Sequence, residues 1–179
     1  MKSEVLTRIH ERNMKKIILI GFAACYKSSV GKLLADKFKC EFVDTDAEIE
    51  RIENMSVQQI FEAHGEQYFR ERESELLSTL KNGNMVVACG GGCVLSPVFA
   101  EFARDSIVVC LTASAETIHA RLGAIPRPLF DGLTVQELSR YIQTRAPLYS
   151  KYSDITLSTD GKTSNQVAEE IYNIKKLRN

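Results

Sequence analysis

Lys27 and Ser28 are the residues with the clearest chemistry. They close the stretch Gly21-Phe-Ala23-Ala24-Cys25-Tyr26 and, with Ser29, open a helical pattern through Val30, Leu33, Leu34 and Phe38. A strand, a tight turn and a helix whose first N–H groups lack partners together make an anion site. In the pattern G-x-x-x-x-G-K-[ST], backbone amides wrap phosphates, the lysine reaches the β and γ oxygens, and the hydroxyl ligates Mg²⁺. Tyr26 stands where that pattern has its second glycine. Taken alone, the stretch therefore fits an ordinary strand–turn–helix with a surface lysine equally well.

Further along, Asp44 and Asp46 close a strand-like run, Glu41-Phe-Val-Asp44-Thr-Asp46. Strand carboxyl ends in an open parallel sheet face the ligand crevice, so both should point where the loop points. The plainer reading is a solvated turn capping the next helix. Arg70 and Glu73 share one side of a helix, facing either solvent or a cleft. Gly90, Gly91 and Gly92 follow the run Met85–Cys89 and suit a backbone that a substrate ring or a phosphate approaches closely, or else a flexible turn. Arg127, between Pro126 and Pro128, lies in a segment (122–134) broken up by Gly and Pro. A cation there suits a mobile lid.

The elements that must position these residues alternate. Lys16–Ile20 reads as a buried strand, followed by a helix over about 27–38 and the strand Glu41–Asp46. Short helices fill 47–69, one capped by Ser56 and carrying Val57, Ile60 and Phe61. A longer amphipathic helix begins at Phe69, runs through Leu76, Leu77 and Leu80, and ends near Asn82-Gly83. After the strand Met85–Cys89, a short helix spans Ser96–Arg104 with Pro97 in its first turn. The strand Ser106–Leu111 leads to a helix capped by Thr112 or Ser114 and running through Arg121. A helix over 134–149, a strand over 154–158 and a last helix with Val167, Ile171 and Ile174 complete the chain. This alternation predicts an α/β fold, a five-stranded parallel sheet with helices on both faces and right-handed crossovers.

The 179 residues fit one domain with a full core, and 23 basic against 23 acidic residues give no pull toward nucleic acid. The five cysteines have neither C-x-x-C nor zinc spacing and read as buried thiols of a cytoplasmic protein. Cys25 lies in the anion loop, where a helix N-terminus can lower a thiol pKa, although a small loop filler is the plainer reading. No stretch is long and apolar enough to span a bilayer, and the polar start is no signal peptide. Residues 1–13 read as an extension or an upstream start, and 14–179 as one domain with a lid over about 120–133. His10, His64 and His119 are scattered and receive no role.

In this order and spacing the chain resembles the shikimate kinase family, in the nucleoside-monophosphate-kinase-like group of P-loop folds. The resemblance runs from about Lys15 to the final helix. It is carried by Gly21…Lys27-Ser28, Asp44-Thr-Asp46, Gly65-Glu66 with Phe69-Arg70 and Glu73, Gly90-Gly-Gly92, Arg127-Pro-Leu and Arg145-Ala-Pro-Leu-Tyr149.

The resemblance implies an ATP- and Mg²⁺-dependent kinase that makes shikimate 3-phosphate, a step toward aromatic amino acids. It implies a monomer with small-molecule partners only. The loop from Gly21 through Ala23, Ala24, Cys25, Tyr26, Lys27, Ser28 and Ser29 would hold the nucleotide, with Arg121 near the adenine. Lys27 would hold the transferring phosphate, Ser28 the metal, and Asp44 the metal through water. Asp46 would bind the shikimate hydroxyls and help remove the 3-hydroxyl proton. Arg70 and Arg145 would fork onto the carboxylate, Glu73 would bind the substrate or orient its neighbours, and the Gly90–Gly92 backbone would lie against the ring. Arg127 would close over the phosphates.

Departures from the family pattern fall on the ATP side. Ala24 and Tyr26 replace glycines, and the lid between Arg121 and Arg127 is a residue short. Ala24 is small and tolerated if its φ is negative, whereas Tyr26 would be strained if its position needs φ > 0. Two other readings use the same residues. One is a catalytically silent relative that binds shikimate. The other is a kinase of another hydroxy acid, such as gluconate.

Overall fold

A computed structural model describes residues 16–80, 83–123, 130 and 132–174. Five strands, β1 (Ile17–Ile20), β2 (Glu41–Asp44), β3 (Met85–Ala88), β4 (Ile107–Thr112) and β5 (Ile155–Ser158), form one sheet. Every pairing is parallel, in the order β2-β3-β1-β4-β5. The helices are α1 (Lys27–Phe38), α2 (Thr45–Glu53), α3 (Val57–Thr79), α4 (Phe99–Phe102), α5 (Ala115–Leu122), α6 (Val135–Tyr152) and α7 (Ser164–Asn173). The α/β architecture is the one the alternation implies. No helix among the described residues is long and apolar enough to cross a membrane.

The two-residue period of β1 divides the core. Ile17 and Leu19 face a layer built with Val30 and Leu34 of α1 and with Val167 and Ile171 of α7. Ile18 and Ile20 face the opposite layer with Leu77 of α3, Phe99 and Phe102 of α4 and Tyr149 of α6. Both layers close over β1, which explains why its four side chains are fully buried. Each such side chain contributes roughly 1.5–3 kcal/mol. Helix α6 joins the layers, since its Leu138 belongs to the first and its Tyr149 to the second. Ile49, Ile60, Phe69 and Leu76 form a third cluster that packs α2 on α3.

Lys16 is buried at the foot of β1. It donates to the carbonyls of Leu80 (3.3 Å) and Phe102 (2.7 Å), with its ammonium over the Phe102 ring. Burial lowers its pKa.

Three boundaries differ from the sequence reading. The second strand ends at Asp44, so Asp46 lies in the first turn of α2, because the Asp44 side chain caps that helix by accepting from Ala47 N. The helix expected to begin at Phe69 is part of one segment from Val57, capped by Ser56 and bent at Gly65 (φ 84°, ψ 168°). The expected helix over 96–104 is instead a 3₁₀ turn (Cys93–Leu95) and the single turn α4. Ser96 is extended (ψ 132°), which separates the two.

Candidate active site

The first turn of α1 sits directly behind β1, at the carboxyl edge of the central strand. Gly21 makes the exit possible. Its φ is 136°, and a Cβ there would lie 2.1 Å from the Leu111 carbonyl oxygen, so only glycine fits. Lys27 folds back over this turn, donating to the carbonyls of Gly21 (2.9 Å) and Phe22 (2.7 Å). Ser28 and Ser29 are exposed on the same turn.

Between them the loop is strained. Tyr26 caps α1 in the left-handed region (φ 66°, ψ 14°), as expected of a position made for glycine. Ala24 is also left-handed, at φ 59°, so the negative φ under which it would be readily tolerated is not the one it adopts. That conformation costs roughly 1–2 kcal/mol per non-glycine residue. Both strained residues touch Arg121 of α5. Its guanidinium lies 3.8 Å from the Tyr26 ring centroid and donates to the Ala24 carbonyl at 3.0 Å. It also donates to the hydroxyl (2.8 Å) and the carbonyl (2.8 Å) of Thr159.

On the other side of β1, β3 ends in the triple glycine. Gly90 N donates to the buried Thr45 hydroxyl at 2.9 Å, joining the Asp44-Thr45-Asp46 turn to the glycine loop. A Cβ on Gly90 would lie 2.3 Å from Asp46 Oδ1 and 3.2 Å from Glu73 Oε1, and one on Gly92 would lie 2.3 Å from Arg70 Nη1. Three charged side chains thus crowd backbone that only glycine leaves open. Arg70 forks to Glu66 (3.0 Å) and to Glu73 Oε2 (3.1 Å).

Glu73 is fully buried, and its Oε1 has no hydrogen-bond partner among the described residues. Burial pushes its carboxyl up to about 7, against the pull of Arg70; Asp46 and Glu66 push it the same way as burial. A buried carboxyl with a vacant oxygen beside an open backbone is a group poised for a ligand hydroxyl.

Tyr149 closes the same loop from α6. Its hydroxyl donates to the Gly91 carbonyl at 2.6 Å. Burial raises the phenol pKa, which keeps it a donor. Arg145 lies one turn earlier on that helix face, and its buried Nη1 likewise lacks a partner.

The structure therefore gathers Asp46, Arg70, Glu73 and Gly90–Gly92 around one point, with the loop of Lys27 beside it. Arg127 lies outside the described residues, as do 1–13 and much of the expected lid. Cys25 is buried, and burial raises its thiol pKa, so it is a loop filler rather than a reactive thiol. For a metal, the Ser28 hydroxyl and the Asp44 carboxylate offer hard oxygen donors. So small a set fits Mg²⁺, which keeps several waters and takes few protein ligands.

Three residues of this site received no role from the sequence. Thr45 sits between two flagged aspartates, and Tyr149 lies one helical turn after Arg145, so both had a positional signal. Thr159 had none.

A family model described as shikimate kinase matches residues 23–175. A shikimate kinase of Dehalococcoides mccartyi (strain ATCC BAA-2100 / JCM 16839 / KCTC 5957 / BAV1) is 39% identical over 163 residues, covering 89% of this chain and 93% of the relative. One of Thermodesulfovibrio yellowstonii is 39% identical over 162 residues, covering 88% and 93%. The solved shikimate kinase from Acinetobacter baumannii in complex with shikimate is 31% identical, with a TM-score of 0.82 over 93% of this chain and 94% of that one. The Aquifex aeolicus structure is 33% identical, with a TM-score of 0.71 over 88% and 93%.

Proposed function

The chain belongs to the shikimate kinase family, and we propose that it transfers the γ-phosphoryl group of ATP to the 3-hydroxyl of shikimate in the cytoplasm. One observation carries the reading of the acceptor site. Asp46, Arg70 and Glu73 converge on the open backbone of Gly90 and Gly92, beside the strand that launches the Lys27 loop. An acceptor with several hydroxyls and one carboxylate matches that mixture of acids, cations and bare backbone.

Phosphoryl transfer needs alignment and charge neutralisation more than covalent help. Lys27 exchanges the carbonyls of Gly21 and Phe22 for phosphate oxygens when nucleotide enters the loop. Ser28 and Asp44 would hold Mg²⁺, which would supply positive charge to neutralise the phosphate oxygens. Arg145, through its vacant Nη1, and Arg70 anchor the carboxylate, while the glycine backbone supports the ring. Asp46, held at Gly90 by the Thr45 turn, accepts the proton of the 3-hydroxyl as its oxygen attacks the γ-phosphorus and ADP departs. Glu73 orients Arg70 and receives a second hydroxyl at Oε1. Arg127 adds positive charge at the phosphates as the transfer proceeds.

The test is a coupled assay of ADP release with ATP, Mg²⁺ and shikimate, run beside a blank without shikimate and a parallel with gluconate. Shikimate-dependent release is expected. Release with gluconate alone would move the acceptor assignment. Absence of release, with shikimate still binding by calorimetry, would establish a silent binder instead.

A further inference from the structure

The two residues that depart from glycine in the phosphate loop are both held by a single guanidinium. The Arg121 guanidinium stacks over the Tyr26 ring, 3.8 Å from its centroid, and donates from its edge to the Ala24 carbonyl at 3.0 Å. It also donates to the buried Thr159, which is itself tied by its hydroxyl to the Thr112 carbonyl at 3.0 Å and by its backbone N–H to the same carbonyl at 2.8 Å. Thr112 ends β4 and Thr159 directly follows β5, so the guanidinium is mounted on the sheet rather than on another loop. We propose that Tyr26 is a positioning residue for the nucleotide: its ring, stacked on the sheet-mounted Arg121, holds the phosphate loop in the left-handed conformation that turns its N–H groups toward an anion.

A glycine at position 26 adopts φ near +66° without cost but adopts many other conformations as readily, so the loop must be ordered each time phosphate binds. A tyrosine reaches that φ only if something compensates, and the ring contact with Arg121 supplies the compensation. The Tyr26 carbonyl accepts the first bond of α1 from Val30 N at 2.8 Å, so fixing Tyr26 also fixes the helix start whose N–H groups face the phosphate. Preorganisation of this kind lowers the ordering cost of binding and appears in nucleotide affinity rather than in the chemical step. The ring is therefore an asset to nucleotide binding and not an obstruction. It is the aromatic face of Tyr26 that meets Arg121.

The inference rests on the ATP-dependent reading above, and the experiment separates the two. Binding of a non-hydrolysable ATP analogue with Mg²⁺ is measured by calorimetry, and KM and kcat by the coupled assay, for the parent, Tyr26→Gly, Tyr26→Phe, Arg121→Ala and the double variant Tyr26→Gly/Arg121→Ala. Melting curves check that each is folded. Tyr26→Gly is expected to weaken nucleotide binding and raise the ATP KM roughly tenfold, with kcat and the shikimate KM within about twofold of the parent. Tyr26→Phe should recover most of that loss. In the Arg121→Ala background, Tyr26→Gly should have little further effect, because the partner of the ring is gone. Unchanged or tighter nucleotide binding by Tyr26→Gly would overturn the proposal, as would an equal loss in both Arg121 backgrounds or a failure of Tyr26→Phe to recover. A parent that binds no nucleotide at all would overturn the ATP-dependent reading, and this inference with it.

Discussion

Gly92→Ala isolates the arginine that meets the glycine loop. Gly92 has φ −97° and ψ −6°, which any residue adopts, so the substitution strains no backbone. The new methyl would stand 2.3 Å from Arg70 Nη1 and 2.5 Å from its Cζ and Nη2. Carbon–nitrogen contact needs about 3.5 Å, so the guanidinium must retreat by about 1 Å. It is the far end of a flexible side chain and yields before the backbone does. The retreat disturbs the pair with Glu73, now at 3.1 Å, and withdraws one charge-assisted donor from the proposed acceptor site. Such a bond contributes about 1.5–3 kcal/mol, or roughly a 10- to 150-fold change in binding.

In the coupled assay at saturating ATP, the shikimate KM of Gly92→Ala should therefore rise at least tenfold, with the ATP KM within about twofold. A second readout follows from Glu73. Arg70 lowers the Glu73 pKa, so displacing it raises the folded-state value further above the ordinary 4.5. The stability linked to that raised pKa is present at low pH and lost as pH rises through the folded value. The variant should thus fall further below the parent in Tm at pH 8 than at pH 5. An unchanged shikimate KM together with an unchanged pH dependence of Tm would refute the placement of Arg70 at the acceptor.

Other outcomes can be checked alongside. Arg145→Ala removes a buried, vacant Nη1 one helical turn before Tyr149 and should raise the shikimate KM at least tenfold with little change for ATP, read in the same assay. Glu73→Gln removes a carboxyl whose pKa lies at about 7, above its ordinary 4.5, so the parent should lose Tm between pH 5 and pH 8 and the variant should lose less. Equal slopes in thermal melts would show that Glu73 does not titrate there. Tyr149→Phe leaves the Gly91 carbonyl without its 2.6 Å donor, at a cost of about 1–3 kcal/mol. The Tm should fall by several degrees and the shikimate KM should rise a few-fold, whereas an unchanged Tm would show that the bond contributes nothing.

Much of this architecture was legible along the chain. The helix over 27–38 and the Ser56 cap coincide with what their residues imply, because capping and a 3.6-residue apolar period are local signals. Boundaries failed where a local signal had two outlets. Asp46 reads as the end of a strand, yet capping by Asp44 draws it into a helix, which aims its carboxylate at Gly90. Ala24 reads as a tolerant small residue, yet the turn from Gly21 into α1 forces it left-handed.

What the sequence determined by itself was the inventory and its order: a lysine and a serine behind a buried strand, acids after the second, glycines after the third, and arginines on the helices. Those follow from composition, period and spacing, which act over a few residues. Only the tertiary structure decided which of them meet. Thr45 meets Gly90, Tyr149 meets Gly91 and Arg121 meets both Thr159 and Ala24, each across long stretches of chain brought together by the parallel register of the sheet. Burial then assigned the chemistry. Glu73 is an ordinary helix glutamate in sequence, and it becomes a carboxyl with a pKa of about 7 because α3 packs it behind the glycine loop, where little solvent remains to stabilise its charge.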